Sequence, residues 1–181
     1  MKHIQGGFCS NVKLMLALSK EYNFIVKEYD LVDQTRKNKI IRAGDYTFTF
    51  YHSSDGKIHI TGIKSFEKIP SLLRFLSERI DVNIGQISNL CIVNNSTWHF
   101  SVKEKIPLQK ISEFFNNHSS ENLKLKFDPH KFPGLTIKWI QGGCAILFNT
   151  GKINVMGVKS PAEFFRIRIK VISIINIIKH S

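Results

Sequence analysis

The sequence lacks the residue patterns by which most enzymes and metal sites are recognised. Its three cysteines, Cys9, Cys91 and Cys144, are far apart and form no C-x-x-C motif. Neither a disulfide framework nor a zinc site is therefore predicted, and a reducing compartment is expected. The seven histidines form no H-E-x-x-H motif or comparable cluster. Since no nucleophile–base pair or metal constellation is present, we predict neither an enzyme nor a cofactor.

Negative charge and long apolar runs are also scarce. Asp and Glu number 14 against 26 Lys and Arg, which gives a net charge of +12 and a pI near 9.7. This balance indicates a polyanionic partner, either nucleic acid or an acidic membrane surface, with a solvated basic surface as the alternative. The most apolar stretch, Phe164–Ile178, is interrupted by Arg166, Arg168 and Lys170, so no membrane span is predicted. Met1–Ser10 has too short an apolar core for a signal peptide.

The chain contains an internal repeat. GKIHITGIKS at Gly56–Ser65 returns as GKINVMGVKS at Gly151–Ser160, with six of ten positions identical at an offset of 95 residues. A period this long indicates a duplicated domain half rather than a solenoid unit. The length of 181 residues allows one domain or two fused halves, and a hydrophobic content of 43% with 14 Phe is typical of a folded protein.

Short apolar runs separated by glycine-containing turns surround the second copy of the repeat. A turn at Pro129 and Pro133–Gly134 opens the series, and Gly142–Gly143 and Asn149–Gly151 separate its strands. This pattern predicts an antiparallel meander. The three predicted strands are Leu135–Ile140, Cys144–Phe148 and Lys152–Val158.

The remaining elements are predicted from periodicity and capping. The predicted helices are Ser10–Tyr22, Ser65–Ile80, Pro107–Phe115 and a last one after Ser160, and the predicted strands are Tyr46–Tyr51, Lys57–Thr61, Ile87–Val93 and Thr97–Val102. Gly6–Gly7 is expected to end any strand that begins at Met1, and Asn23–Arg42 is interpreted as a charged surface loop or edge strand. The last segment alternates as a strand would, but Ser160, Pro161 and Glu163 form a capping box that favours a helix.

These segments resemble the TATA-binding protein family. FDPHKFPGL, residues 127–135, is similar to that family's YEPELFPGL stirrup segment, and ILFNTGKINVMGVKS, residues 146–160, to its LIFVSGKIVLTGAK strand pair. The resemblance runs from about Ile87 to His180 and more weakly from about Asn11 to Ile80. It implies an α+β saddle of two pseudo-symmetric repeats, 1–83 (degenerate) and 84–181, which share one curved antiparallel sheet with helices on its convex face.

The resemblance implies a transcription initiation factor that binds the minor groove of promoter DNA and bends it. In this family Phe side chains enter a base step and kink the duplex. Phe132 and Phe148 are the implied wedge pair of the second repeat, with ordinary core packing as the alternative interpretation. In the first repeat the longer turn leaves open whether Phe50 or Tyr51 matches Phe148.

Further DNA contacts follow from the resemblance and from strand alternation. Asn89 would hydrogen-bond acceptors in the groove beside Cys91 and Ile146, although a strand-end Asn often bonds local backbone instead. Alternation directs Ile153 and Val155 to the helices. On the opposite face, alternation directs three residues of each repeat to DNA: Lys152, Asn154 and Met156 in the second, and Lys57, His59 and Thr61 in the first. The implied phosphate contacts are Lys138, Lys159, Lys64 and Arg42.

The sequence also departs from the family pattern. The first half offers neither the groove Asn nor an FPG segment, and His59 and Asn154 stand where the family usually carries Val. Asp128 of the stirrup remains, but His130 and Lys131 replace an acid and a Leu, so a diverged partner of the B-type general transcription factor is expected beside the RNA polymerase machinery. The alternative is a protein-interaction factor or an accessory nucleic-acid-binding module that does not bend DNA.

Composition and resemblance also suggest a source and a location. The Ile-, Lys- and Asn-rich usage is typical of an AT-rich genome, such as that of a large DNA virus or a protist. We expect a monomer on DNA, located in the nucleus or at a viral transcription site.

Overall fold

The fold is α+β, with ten strands and three helices in the described part of the chain. The computed structural model describes residues 4–17, 31–33, 38–51, 57–78, 85, 91–118 and 121–180. The strands are β1 Ile4–Ala17, β2 Leu31–Asp33, β3 Asn38–Ala43, β4 Tyr46–Tyr51, β5 Lys57–Ile63, β6 Cys91–Val102, β7 Leu123–Asp128, β8 Phe132–Trp139, β9 Cys144–Phe148 and β10 Lys152–Val158. The helices are α1 Ile69–Ser77, preceded by a 3-10 turn at Phe66–Lys68, α2 Leu108–Asn117 and α3 Pro161–His180.

The chain divides into two compact units. Residues 10–95 form the N-terminal unit, and residues 1–9 with 96–181 form the C-terminal unit. The N-terminal unit has the strand order β2-β3-β4-β5-β1 followed by the start of β6, and these strands pair antiparallel from β2 to β1. In the C-terminal unit the start of β1 is followed by β6-β10-β9-β8-β7, which pair antiparallel from β6 to β7. The predicted boundary between residues 83 and 84 stays a prediction.

Strand alternation separates a buried face from an outer face in the C-terminal unit. Ile153 and Val155 of β10 are fully buried, whereas Lys152 is exposed and Asn154 is half-buried. The buried side packs against α3, where the Phe164 ring stacks on Trp98 of β6 at 4.4 Å between centroids. Burial of apolar surface at this contact stabilises the unit.

The backbone conformation explains why the second glycine of the ten-residue repeat, Gly62 in one copy and Gly157 in the other, occurs in both copies. Gly62 and Gly157 have φ values of +88° and +75°, a region that only glycine adopts without strain. Both stand where strand pairing shifts register, between the partners of Val12 and Leu14 for β5 and between Met156 and Val158 for β10. The duplicated signature therefore marks the same β-bulge in both repeats.

The last segment is a helix, as the capping box predicted. The Glu163 N–H donates to Ser160 Oγ at 3.2 Å, and the Lys159 N–H donates to the Glu163 carboxylate at 2.8 Å. Ile167 and Val171 are buried at helical spacing, whereas Ile169, which a strand pattern would bury with them, is 65% exposed. None of the helices in the described residues is long and apolar enough to cross a bilayer.

The predicted helix at Ser10–Tyr22 is wrong over its described part. Residues 4–17 form one strand, β1, which continues through Gly6–Gly7 instead of ending there. Val12, Leu14 and Leu16 are fully buried on one face of it. Their spacing of two fits a strand, and pairing with β5 satisfies the backbone. Residues 18–30 lie outside the described part of the chain.

Two further strand predictions are right in part. Within Asn23–Arg42, β2 is an edge strand as interpreted, whereas β3 is internal because it pairs with both β2 and β4. The two strands predicted around Val93 and Thr97 are one, β6, since the intervening polar residues continue the ladder; Ile87–Leu90 lie outside the described residues. In both segments, pairing with strands distant in the sequence determines where the strand lies in the sheet and how long it is.

The capping box of α3 can be tested by substitution. We expect Ser160→Ala to lower the free energy of unfolding by about 1 kcal/mol, because the Glu163 N–H loses its acceptor. Urea denaturation monitored by circular dichroism measures this. Ser173→Ala, at an exposed position within the same helix, is the matched control and should be neutral or slightly stabilising. Equal effects of the two substitutions would contradict the capping assignment.

Candidate nucleic-acid interface

The outer face of the C-terminal unit is the sheet surface opposite its buried core. Directly paired residues of an antiparallel sheet share a face, so the register defines its rows. One row consists of Lys126, Thr136, Ile146, Asn154 and His99. The next row consists of Lys124, Lys138, Cys144, Met156 and Thr97. The outer face thus has mainly apolar side chains in β9 and lysines in β7 and β8.

The predicted wedge residues lie together on the outer face. The rings of Phe132 and Phe148 are 6.0 Å apart between centroids and meet edge to face at 69°. Phe132 is 43% exposed, so core packing does not describe it. Phe148 is half-buried and pairs with Gly134 across the sheet. The pair therefore presents a large aromatic edge to solvent at the start of β8.

Gly134 makes room for this arrangement. A Cβ at that position would lie 2.7 Å from Cε1 of Phe132 and 2.8 Å from Cγ2 of Ile146. Both distances are shorter than a van der Waals contact, so any side chain there would displace the Phe132 ring. The glycine of the FPG segment is thus required sterically by the phenylalanine two residues before it.

A polar pair lies at the other end of the same face. His99 Nδ1 and Asn154 Oδ1 are 2.7 Å apart, and the two residues are direct partners across β6 and β10. The Phe8 ring, 61% exposed, lies 5.7 Å from the His99 ring. These side chains, with Ser101 and Lys152, line a cavity of about 410 Å³. The sequence predicted Asn154 at this face but missed His99, whose signal was the alternation with Trp98 and Phe100.

The N-terminal unit repeats the alternation on β5. Ile58 and Ile60 are buried, and His59 and Thr61 lie on the opposite face, half-buried. That face also carries Arg42, because Arg42 pairs with Thr47 and Thr47 with Thr61. The structure describes the backbone of Lys57 in β5 but not its side chain.

Register settles which aromatic residue of the first repeat matches Phe148. Phe50 pairs with Ile58 as Leu147 pairs with Ile153. Since Ile58 and Ile153 are equivalent in the repeat, Tyr51 takes the position of Phe148. The side chains of Phe50 and Tyr51 lie outside the described part of the structure.

The same register relates the cationic residues of the two repeats. Arg42 pairs with Thr47 as Lys138 pairs with Cys144, so Arg42 is the counterpart of Lys138, and both are exposed. Asn38 is then the counterpart of Gly134, which leaves Arg36 in the sequence position of Phe132. The first repeat therefore lacks the FPG segment, as the sequence indicated.

Asn89 lies outside the described residues, but the register identifies another asparagine in each repeat. Val12 pairs with Ile63 as Ser96 pairs with Val158. The preceding residues are Asn11 and Asn95, on the faces of β1 and β6 away from the buried side chains. Asn11 was missed because its segment was predicted to be a helix. The signal that could have found it is the alternation in NVKLML, whose second, fourth and sixth residues are apolar, as are the fourth and sixth residues of NSTWHF.

The other predicted phosphate contacts are exposed. Lys64 forms an ion pair with Asp45 at 3.8 Å, in which both side chains are about two-thirds exposed, so the pair contributes little to stability. Lys159 is exposed beside the start of α3. The two predicted contacts thus lie at equivalent places after β5 and β10.

The thiols on these faces stay protonated at neutral pH. Burial raises the pKa of Cys91, and burial raises that of Cys144 more than the nearby Lys138 lowers it. Among the described residues no three His, Cys, Asp or Glu side chains are grouped so that they could hold a metal ion. The outer face therefore offers apolar contacts and neutral or cationic groups.

The stirrup residues form the turn between β7 and β8. The Lys131 N–H donates to the Asp128 carbonyl at 3.1 Å, and Lys131 Nζ lies 3.2 Å from an Asp128 carboxylate oxygen. His130 is exposed in the same turn. Asp128 is thus partly neutralised by its own turn, which weakens it as an acidic recognition point.

Gly134 provides a test of the outer-face geometry. We expect Gly134→Ala to destabilise the protein by about 1–3 kcal/mol, because the added methyl overpacks the Phe132 and Ile146 contacts. Denaturation of the single and double variants with Phe132→Ala measures it as a double-mutant cycle. The cost of Gly134→Ala should shrink when Phe132 is absent, and a cost that does not change would show that the ring does not lie over Gly134.

Comparison with known proteins identifies the family. Residues 91–178 match the family described as transcription factor TFIID, or TATA-binding protein. The fold is similar to that of Methanococcus jannaschii TBP, with a TM-score of 0.66 and 17% identity over 95% of this chain and 99% of that chain. No curated protein sequence matches significantly. Proteins of this family are not enzymes. Residues 91–178 thus belong to the TATA-binding protein family, and the chain as a whole has the fold of a TATA-binding protein at low sequence identity.

Proposed function

We propose that the protein is a transcription initiation factor that binds the minor groove of promoter DNA and bends it. The observation that carries this proposal is the exposed Phe132 ring, packed edge to face on Phe148 at the outer face. An exposed aromatic pair costs solvation free energy in the free protein and gains it on insertion between base pairs. Ile146 and Met156, on the same outer face, would contact the groove floor.

The chemistry of the outer face fits a minor groove. That groove presents few and degenerate hydrogen-bonding groups, so proteins read it through shape, apolar contact and ease of deformation. Ile146, Cys144 and Met156 supply apolar contact in the middle of the face. Lys138 and Lys152 at its margins would meet phosphates, which makes binding salt-dependent.

The two repeats would contribute unequally. Phe132 and Phe148 remain in the second repeat, while Tyr51 and Arg36 stand at their positions in the first. Arg36 would bind phosphate instead of entering a base step. The kink is therefore proposed to lie mainly under the C-terminal unit, and the other unit to hold the duplex.

The expected partners follow from the same proposal. The turn at Asp128–Lys131 would meet a B-type general transcription factor whose surface tolerates a basic stirrup. That factor would connect the DNA complex to RNA polymerase, with the protein acting as a monomer in the nucleus. A protein-interaction factor without DNA bending is the competing function, because the first repeat lacks the Phe wedge.

Duplex bending tests the wedge mechanism. Energy transfer between fluorophores at the ends of a TATA-containing duplex should rise on binding, and Phe132→Ala/Phe148→Ala should abolish that rise because nothing unstacks the base step. Phe165→Ala, on the exposed side of α3, is the matched control and should bend DNA like the wild type. Bending that survives the double substitution would exclude the wedge, and binding without any bending would favour the competing function.

The groove asparagines can be tested separately. We expect Asn11→Ala and Asn95→Ala each to weaken binding about 5- to 30-fold, the effect of losing a hydrogen bond worth roughly 1–2 kcal/mol. A fluorescence anisotropy titration measures the dissociation constant. Asn89→Ala is the comparison. If only Asn89→Ala weakens binding, the register-based assignment is wrong and the sequence-based one is correct.

A further inference from the structure

Three lysines form a cationic cluster at the edge of the outer face. Lys124 and Lys126 alternate along β7, the edge strand of the C-terminal unit, and Lys124 pairs directly with Lys138 of β8. All three are exposed, while Leu125 between them faces the other side with the buried Ile137. We call Lys124, Lys126 and Lys138 the lysine cluster. Only Lys138 was singled out from the sequence.

The free protein gains no stability from this arrangement. Like charges directly opposite in an antiparallel pair repel and destabilise it. Within the described part of the chain no acidic side chain forms an ion pair with any of the three. Asp128, the acid of the same strand, pairs with Lys131 instead. A polyanion placed over the cluster would turn this repulsion into attraction.

We propose that the lysine cluster is a second phosphate-binding site, which holds the DNA backbone beyond the base step entered by Phe132. This inference rests on the proposed function. The cluster lies on the same two rows as Ile146, Asn154 and Met156, so a duplex whose groove covers those rows carries a backbone over β7. Lys124 and Lys126 are about 7 Å apart along the strand, about twice the 3.4 Å axial spacing of phosphates on one DNA strand.

DNA is favoured over other polyanions by this continuity. An acidic membrane would engage a flat basic surface, but here Phe132 and the turn at Asp128–Lys131 adjoin the cluster. A duplex matches both features at once, because its groove admits the rings while its backbone meets the lysines. The cluster would thus anchor the duplex next to the kink and resist its straightening.

Salt dependence of binding tests the cluster. In Lys124→Gln/Lys126→Gln, the slope of log K against log salt concentration should decrease in magnitude by about 1.8, since each lost phosphate contact removes about 0.9. The probe is the same TATA-containing duplex, titrated by anisotropy at several salt concentrations. Lys68→Gln/Lys110→Gln, which removes the same charge from exposed helical positions, is the matched control and should leave the slope unchanged.

Each outcome decides between the proposals. An unchanged slope, with wild-type binding and bending intact, overturns the lysine cluster and leaves the proposed function standing. Equal decreases in the two double variants also overturn it, because net charge alone would then explain them. Absence of duplex binding by the wild type overturns both proposals. Loss of binding to anionic phospholipid vesicles, with an unchanged DNA slope, would instead identify a membrane surface as the occupant.

Stability of the free variant separates binding from folding. Because repulsion between Lys124 and Lys138 is removed, the urea midpoint of Lys124→Gln/Lys126→Gln at low salt should equal or exceed that of the wild type. A weaker DNA complex formed by an equally stable protein supports the cluster as a binding site. A lower midpoint would show that these lysines stabilise the strand pair, which contradicts the argument from repulsion.

Discussion

The stacking of Phe164 on Trp98 fixes which face of the C-terminal sheet is buried. The rings are 4.4 Å apart between centroids, and Phe164 is inaccessible to solvent. Because side chains alternate along a strand, burying Trp98 directs Thr97 and His99 to the outer face. Cross-strand register then places Met156 and Asn154 beside them. The whole candidate interface therefore depends on one helix packing on one side of the sheet.

Duplication and divergence have acted differently on the two sides of the sheet. Buried positions such as Ile58 and Ile153 are apolar in both repeats, because a buried polar group without a hydrogen-bond partner is costly. The outer positions have changed freely, and Tyr51 stands where the other repeat has Phe148. The core does not require Phe132 to be exposed on the outer face, so folding alone does not explain the Phe132–Phe148 pair.

A hydrogen bond between two side chains orders a polar group on the outer face. His99 holds the Asn154 side chain at 2.7 Å and so restricts its rotation. An ordered amide beside Ile146 can donate to, or accept from, a base edge, whereas Val can do neither. Under the proposed function, Asn154 would make this face less dependent on A·T pairs than an apolar row would be. The lysines of β7 would add affinity that does not depend on sequence.

Local pattern alone determined the features of this protein that depend on nearest neighbours in the chain. The β9 and β10 strands, the capping box at Ser160 and the FPG segment were all predictable, because alternation, caps and turns act over a few residues. The strand β1, the match of Tyr51 to Phe148 and the pairing of Lys124 with Lys138 were not. Each depends on hydrogen bonds to a strand distant in sequence, and only the tertiary structure decides which partner and which register satisfy the backbone while burying one face.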